Sequence, residues 1–333
     1  MANRHHLKLL KRGARVWNAW RARHLEVRPN LIRAPLEGVH LNGVDLLGAN
    51  LYEATLRRTI LTESRLGEAN LGGADLSDAN LTNANLIKAV LCGATLMGTD
   101  LTRANLTGAT ITWANMCDAT LTQATLRGTD LTGTALTGAK LLQADLSGSN
   151  LRGADLSDAD LNGANLRDAN LYRASLSRAK LRGANCTGAT LNQADLRAAC
   201  LRDSVLAQAS LKGALLTEAQ FGGANLQRTD LRWADGSRAV FSESLLSDAN
   251  LIAAMLNQAS FIGADLSGAN LSMACLSEAD FYLASLQGAI LKGTNLRGAD
   301  LRGANLRRAI LSGADLRETK LTGALFDPGT FPG

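Results

Sequence analysis

Histidine and cysteine are the side chains of this chain best suited to covalent catalysis or metal binding, and the sequence keeps them apart. The four histidines all lie within the first 40 residues, at His5, His6, His24 and His40. The five cysteines are Cys92, Cys117, Cys186, Cys200 and Cys275. A nucleophile needs its base within hydrogen-bond reach, and a Cys/His zinc site needs both residue types together. The sequence therefore predicts no catalytic residue, no metal site and no cofactor.

Three carboxylates stand close together in the sequence, at Asp155, Asp158 and Asp160. Paired carboxylates can exchange protons with a substrate, but they do so inside a pocket that excludes water. These three occupy variable positions of a repeat, where charged side chains normally face solvent. We therefore interpret them as surface residues.

The element that positions every side chain is a five-residue repeat, which is clearest between residues 151 and 174. From Leu36 to Phe326 every fifth residue is apolar, usually Leu, with the exception of Gly236. The residue two places before each of these central residues is always small: Ala, Thr, Ser or Val. A register without insertions over this length indicates a solenoid, in which each unit meets the same geometric constraint.

A period of five fits neither an α-helix nor an ordinary strand. Gly is the commonest residue two places after the central residue, and Asp or Asn also occurs there. These residue types tolerate the positive φ that the third residue of a type II turn requires. The repeat thus predicts a short extended edge followed by a bend in every quintet.

Four phenylalanines indicate how many edges make one coil, because they stand 20 residues apart. Rings at Phe221, Phe241, Phe261 and Phe281 can stack as a core aromatic ladder only if each coil contains four quintets. We expect an all-β solenoid of about 15 coils, each of about 4.8 Å rise.

The repeat resembles the A-[DN]-L-x-x motif of the pentapeptide-repeat family over about residues 31–331. This resemblance implies a right-handed quadrilateral β-helix. It says less about function, because members of the family are non-enzymatic and diverse; some mimic duplex DNA and act on type II topoisomerases.

Residues 1–30 lie outside the repeat and form a separate leader. Residues 5–23 have apolar side chains at helical spacing, which predicts one basic amphipathic helix. An exposed solenoid end has open backbone groups and apolar core, so we expect the leader to act as a cap, with Trp17 and Trp20 as lids. Phe331 is the corresponding candidate at the other end. A membrane surface, a nucleic acid or a protein partner are alternative contacts for the leader.

The net charge of +5 belongs to the leader. Residues 1–33 have nine basic residues and one acidic residue, whereas the remainder has 26 basic and 29 acidic residues. The repeats are therefore nearly neutral, which argues against a DNA mimic and against nucleic-acid binding by the repeats. Unpaired cysteines favour a reducing, cytoplasmic location, and no apolar run is long enough to span a membrane.

Polar surface positions become apolar between residues 233 and 290, and we interpret this belt as a candidate interface with a protein partner or a second copy. Its members are Val240, Leu245, Ile252, Met255, Ile262, Met273, Tyr282, Leu283 and Ile290. The ends of the solenoid are a second possible route to a homo-oligomer. We therefore expect a structural or protein-interaction rod of bacterial type, with a DNA-mimic modulator of gyrase as the disfavoured alternative.

Overall fold

The computed structural model describes residues 1–327. The chain forms two compact units, Met1–Asn170 (unit 1) and Leu171–Gly333 (unit 2). Unit 1 begins with two helices, α1 Arg4–Leu10 and α2 Ala14–Arg21. From residue 30 the described chain consists of repeated turns joined by isolated parallel β-bridges, in both units.

Each quintet bends between its central residue and the next small residue. The N–H of Ala224, for example, donates to the carbonyl of Phe221 over 2.9 Å, which closes a four-residue turn. The third residue of each turn has a positive φ whether it is Gly or a larger residue, as at Gly223 (68°) and Trp233 (58°). The position that Gly frequents in the sequence is therefore the left-handed position of the turn.

Parallel bridges join residues that are 20 apart, so one coil contains four quintets. The bridge residue precedes the central residue, as in Gln220 and Val240. Its N–H donates to the preceding coil (Val240 to Ala219, 2.9 Å), and the central N–H donates to the following coil (Phe221 to Val240, 2.7 Å). Main-chain hydrogen bonds therefore hold each coil to both of its neighbours within a unit.

The edges are shorter than the repeat predicted. Among residues 1–327 every bridge is isolated, and no run of consecutive paired residues forms a strand. Each quintet uses two residues for its turn, and of the remaining three only the residue before the central one pairs with the neighbouring coils.

The core is filled by the central residues and by the small residues two places before them. The central leucines from Leu31 to Leu301 are fully buried or nearly so. Buried Thr and Ser at small positions, apart from Ser64, donate their hydroxyls to nearby carbonyls; Thr229 Oγ1 donates to Leu206 O over 2.9 Å.

Four phenylalanine rings stack in the core of unit 2. Successive centroids of Phe221, Phe241, Phe261 and Phe281 are 4.8, 5.0 and 4.8 Å apart, with planes within 5° of parallel. All four rings are fully buried.

Gly236 is the one central residue without a side chain, and neighbouring core side chains lie close to the space that a larger residue would occupy. A Cβ at Gly236 would lie 2.8 Å from Leu256 Cδ2 and 3.8 Å from Phe241 Cε2. Trp233, three residues earlier, does not fill this space, because it is mostly exposed at a turn. Leu256 and the phenylalanine column therefore occupy this part of the core.

The prediction of one leader helix over residues 5–23 was wrong. Gly13 has φ 98°, outside the helical region, and separates α1 from α2. Asn3 begins α1, because its side-chain oxygen accepts from the N–H groups of His5 and His6 over 2.9 and 3.2 Å. The break at Gly13 lets two short helices fold over the first coil.

Replacing Ala224 with Leu should lower the free energy of unfolding by about 1–3 kcal/mol, because the added atoms must enter a filled core. Ala224 is fully buried at a small position. Urea denaturation would measure the change, with Ala207→Leu at a half-buried turn position as the matched control. Equal stabilities of the two variants would contradict the assignment of the small residues to the interior.

Candidate interaction surfaces

The leader covers the first coil through the side chains of α2. Trp17 is fully buried, and its Nε1–H donates to the carbonyl of Asp45 over 2.6 Å. Asn18 accepts from the Asp45 N–H over 2.8 Å and donates to the Gly43 carbonyl over 2.9 Å. Asn18 and Trp17 thus supply the donors and acceptors that a preceding coil would have supplied.

A second edge of the first coil is bonded by α1 and the residues around it. The N–H of Asn3 donates to the Asn30 carbonyl over 3.0 Å, and the Asn30 N–H donates to Nδ1 of His6 over 3.1 Å. A third edge has Pro35 at its bridge position, which has no N–H to satisfy. The leader therefore satisfies backbone groups at two of the four edges of the first coil, those that contain Asn30 and Asp45.

His6 and the two tryptophans of the leader form one packed cluster. The His6 ring meets Trp17 edge-on at 6.2 Å and lies 4.9 Å from Trp20, and His6 is buried. Trp20 is half-buried and also stacks on His24 at 5.0 Å. Burial lowers the pKa of His6, and the positive charges of His5 and Arg21 lower it further.

The stability of unit 1 should fall as the pH is lowered below about 6.5, the ordinary pKa of histidine. The folded pKa of His6 lies below its unfolded value, so the unfolded chain takes up the proton first. The stabilisation is complete above the unfolded pKa and is lost as the pH falls towards the folded pKa.

Thermal melts between pH 8 and pH 5 would measure this loss. His6→Gln, which keeps an acceptor for the Asn30 N–H but does not titrate, should show a smaller loss. A wild-type curve with the same slope as that of His6→Gln would rule out His6 as the cause.

The nine apolar residues of the candidate interface lie on two separate parts of unit 2. Turns recur every five residues in a coil of 20, so turns ten residues apart occupy opposite corners. We define corner A by Trp233, Ile252, Met255, Met273 and Ile290, and corner B by Val240, Leu245, Ile262, Tyr282 and Leu283. The nine residues therefore do not form one continuous surface. Trp233, which was not among the nine, lies at corner A with four of them.

Corner A exposes large side chains that lie along the turn. Met273 is 65% exposed, and its Sδ lies 2.8 Å from the place where a Cβ at Gly293 would stand. The Arg232 guanidinium lies over the Trp233 ring at 5.4 Å and makes two hydrogen bonds to Asp230, of 2.9 and 2.8 Å. Corner A is an apolar ridge, and the charge beside Trp233 is paired, Arg232 with Asp230.

Corner B is apolar as well, but its border is acidic. Leu283 extends over Gly303 with Cδ2 2.7 Å from the Cβ position, and Arg302 lies 5.7 Å from the Tyr282 ring. Glu243, Asp265 and Asp280 occupy turn and bridge positions of the same coils. Corner B therefore combines apolar contact area with negative charge.

Sequence reasoning missed Trp113 in unit 1. Trp113 is 73% exposed, has φ 57°, and lies directly over Gly133. Its signal in the sequence was an aromatic residue at the turn position that Gly frequents, followed 20 residues later by Gly. The ring extends over the following coil and is not packed in the core.

The described residues contain no cluster suited to catalysis or metal binding. No group of three or more His, Cys, Asp or Glu within residues 1–327 could hold a metal ion. Burial raises the pKa of the Cys186 thiol to about 12, so this thiol stays protonated at neutral pH. An open depression of about 930 Å³ on unit 1 is lined by polar residues, among them Arg127, Ser147 and Arg167.

The sequence also led to predictions about membrane spans and about a cap residue at the C-terminal end of the repeats. Within residues 1–327 no helix has the length and apolar character needed to cross a bilayer. The candidate cap residue Phe331 lies outside the described residues.

One family model matches nearly the whole of the repeat region. The Pentapeptide repeats family model matches segments from residue 30 to residue 326, with gaps only at 209–213 and 282. No curated protein matches the chain. Among solved structures, HetL of the cyanobacterium Nostoc is 30% identical, with 93% of this chain and 96% of HetL covered and a TM-score of 0.21.

Two further solved structures are similar to parts of the chain. Rfr23 of the cyanobacterium Cyanothece is 36% identical, covering 28% of this chain and 60% of its own length, with a TM-score of 0.23. QnrB1, a plasmid-mediated fluoroquinolone resistance protein, is 21% identical over 65% of this chain and 88% of its own, with a TM-score of 0.35. The family match along the repeats confirms what the A-[DN]-L-x-x motif indicated, and this chain belongs to the pentapeptide-repeat family.

Proposed function

We propose that this protein is a non-enzymatic interaction scaffold that binds a protein partner through corners A and B of unit 2. The observation that carries the proposal is the exposure of large apolar side chains at two opposite corners of the same coils. Water is a poor environment for such side chains, and contiguous apolar patches of this kind mark contact surfaces. The coils supply a rigid support, because main-chain hydrogen bonds hold each coil to its neighbours.

The architecture that we propose for this role is a right-handed quadrilateral β-helix of about 15 coils, with residues 1–30 as a cap and residues 31–331 as the repeat domain. The contacts of Trp17, Asn18 and His6 with the first coil support the capping role. The five cysteines, which are all unpaired, support a reducing cytoplasmic location. A second copy of the chain is one candidate partner for either corner.

A DNA-mimic modulator of gyrase is the alternative, and the charges do not favour it. Residues 34–170 have 15 acidic and nine basic residues, a net charge of −6 over roughly seven coils. At about 4.8 Å per coil this is one net charge per ~5 Å, against one per ~1.7 Å in duplex DNA. In unit 2 the carboxylates of Asp195, Asp230, Asp300 and Asp315 are each paired with an arginine two residues later.

Charge substitutions at corner A test the scaffold. Met255→Lys with Met273→Lys should abolish a cross-link between the full chain and its partner in native lysate, and should reduce any self-association seen by sedimentation. Met97→Lys, at an exposed turn of unit 1, is the matched control. The same experiment with Leu245→Lys and Leu283→Lys examines corner B.

The scaffold proposal fails if both double variants, at corner A and at corner B, retain every cross-link and the parental sedimentation. A DNA-supercoiling assay with gyrase distinguishes the scaffold from the DNA mimic. We expect neither inhibition nor protection of gyrase, and clear activity there would favour the DNA mimic.

A further inference from the structure

We propose that the outward face of the leader, residues 1–33, binds an anionic lipid surface. This site is separate from corners A and B and does not depend on their role.

The leader has the densest concentration of positive charge in the chain. Eight of its cations are exposed; Arg33 pairs with Glu53, and no ion pair joins any of the other seven to a carboxylate within residues 1–327. These seven are Arg4, Lys8, Lys11, Arg12, Arg15, Arg23 and Arg28. Glu26 is the single acidic residue of residues 1–33. Unpaired cations on a folded surface keep their full attraction for an anionic surface.

The helices have no free apolar face for a partner, because their apolar side chains are buried within the protein. Leu10 and Trp17 are fully buried, and Leu31, Leu36 and Leu41 of the first coil are fully buried as well. An amphipathic helix lying in the headgroup region would need these side chains free. The leader therefore binds as a folded body, through charge and through residues outside the helices.

A turn after α2 supplies apolar side chains between two arginines. Leu25 is 69% exposed and Val27 is 36% exposed, and both lie between the exposed Arg23 and Arg28. A protruding aliphatic side chain flanked by cations fits the boundary between acyl chains and anionic headgroups. The phosphates of a nucleic acid would also bind the arginines, but a nucleic acid has no apolar region to match an exposed aliphatic side chain. An anionic lipid surface offers both, so it fits this turn better.

The uneven distribution of charge in unit 1 also determines which side of the unit faces an anionic surface. Residues 1–33 have a net charge of +8, and residues 34–170 have a net charge of −6. A negative surface attracts the leader and repels the coils of the same unit, so the leader faces the surface. Each cation close to such a surface contributes roughly fivefold in partitioning.

Vesicle co-sedimentation of the full chain tests the proposal. The chain should bind phosphatidylglycerol–phosphatidylcholine vesicles at low salt and should not bind pure phosphatidylcholine vesicles. Arg23→Gln with Arg28→Gln should weaken binding about fivefold for each cation removed. Leu25→Ser should weaken it about tenfold, because the aliphatic contact is lost.

The matched control is Lys292→Gln with Arg307→Gln, which removes the same charge from exposed positions of unit 2 and should leave binding unchanged. Thermal melts identical to that of the parent show that the variants are folded. Failure of the folded parent to bind anionic vesicles would overturn the proposal. So would unchanged binding by Leu25→Ser, or preferential binding to duplex DNA that only the arginine variant weakens, since either result reduces the surface to a general polyanion site.

Discussion

Replacing Phe241 with Ala is expected to lower the free energy of unfolding of unit 2 by about 3–5 kcal/mol. The ring is fully buried and stacks on Phe221 at 4.8 Å and on Phe261 at 5.0 Å. Its Cε2 also lies beside Gly236, where no side chain is available to relax into the space. The cavity left by the substitution should therefore stay open.

Phe241→Leu is the informative partner of this variant, because Leu is the usual central residue of the repeat. We expect it to cost less than about 1.5 kcal/mol, since most of the apolar volume is retained. Urea denaturation followed through Trp233 fluorescence would compare the two. Equal losses for Ala and Leu would show that ring stacking, and not core volume, determines stability here.

Replacing Trp17 with Ala should lower the stability of unit 1 by about 3–5 kcal/mol. The substitution removes a fully buried indole from over the first coil and leaves the Asp45 carbonyl without its donor. Trp17→Phe separates the two effects, because it keeps a ring and loses only the hydrogen bond. The expected cost of Trp17→Phe is about 1–3 kcal/mol, the usual penalty for a buried group left unsatisfied.

Thermal melts of the two Trp17 variants would give these values, and light scattering would report whether the uncovered leucines promote aggregation. Arg15→Ala, at an exposed position of the same helix, is the control. A melt of Trp17→Ala that coincides with that of Arg15→Ala would show that the leader does not hold the first coil.

The sequence was sufficient to predict how residues pair between coils, but not which side chains share a surface or form hydrogen bonds there. The phenylalanine spacing predicted the pairing of residues 20 apart, because a strict repeat leaves a single register in which four rings stack. The prediction of Trp17 as a cap residue did not include its hydrogen bond to the Asp45 carbonyl, since a hydrogen bond depends on atomic positions that no period specifies. The helix break was missed because Gly13 alone is a weak signal within a helical pattern.

The division of the apolar belt was missed for a different reason. Grouping Met273 with Tyr282 by coil put opposite corners on one surface, although their positions in the 20-residue period already differ. The direction in which a turn side chain extends was also absent from the sequence. Only the structure shows that Trp113, Met273 and Leu283 lie over the following coil, each above a glycine.

The pairing of residues 20 apart has a consequence for how such a chain can change length. Copying or losing one whole coil returns every later side chain to its former corner, with its hydrogen-bond partners replaced by equivalent ones. Gaining or losing a single quintet preserves the inward leucines but moves everything beyond it by one corner, which would take Phe261 out of line with Phe241. Duplication of complete turns is therefore the neutral route by which a gene of this kind can lengthen, whereas shorter changes reassort which residues share a surface.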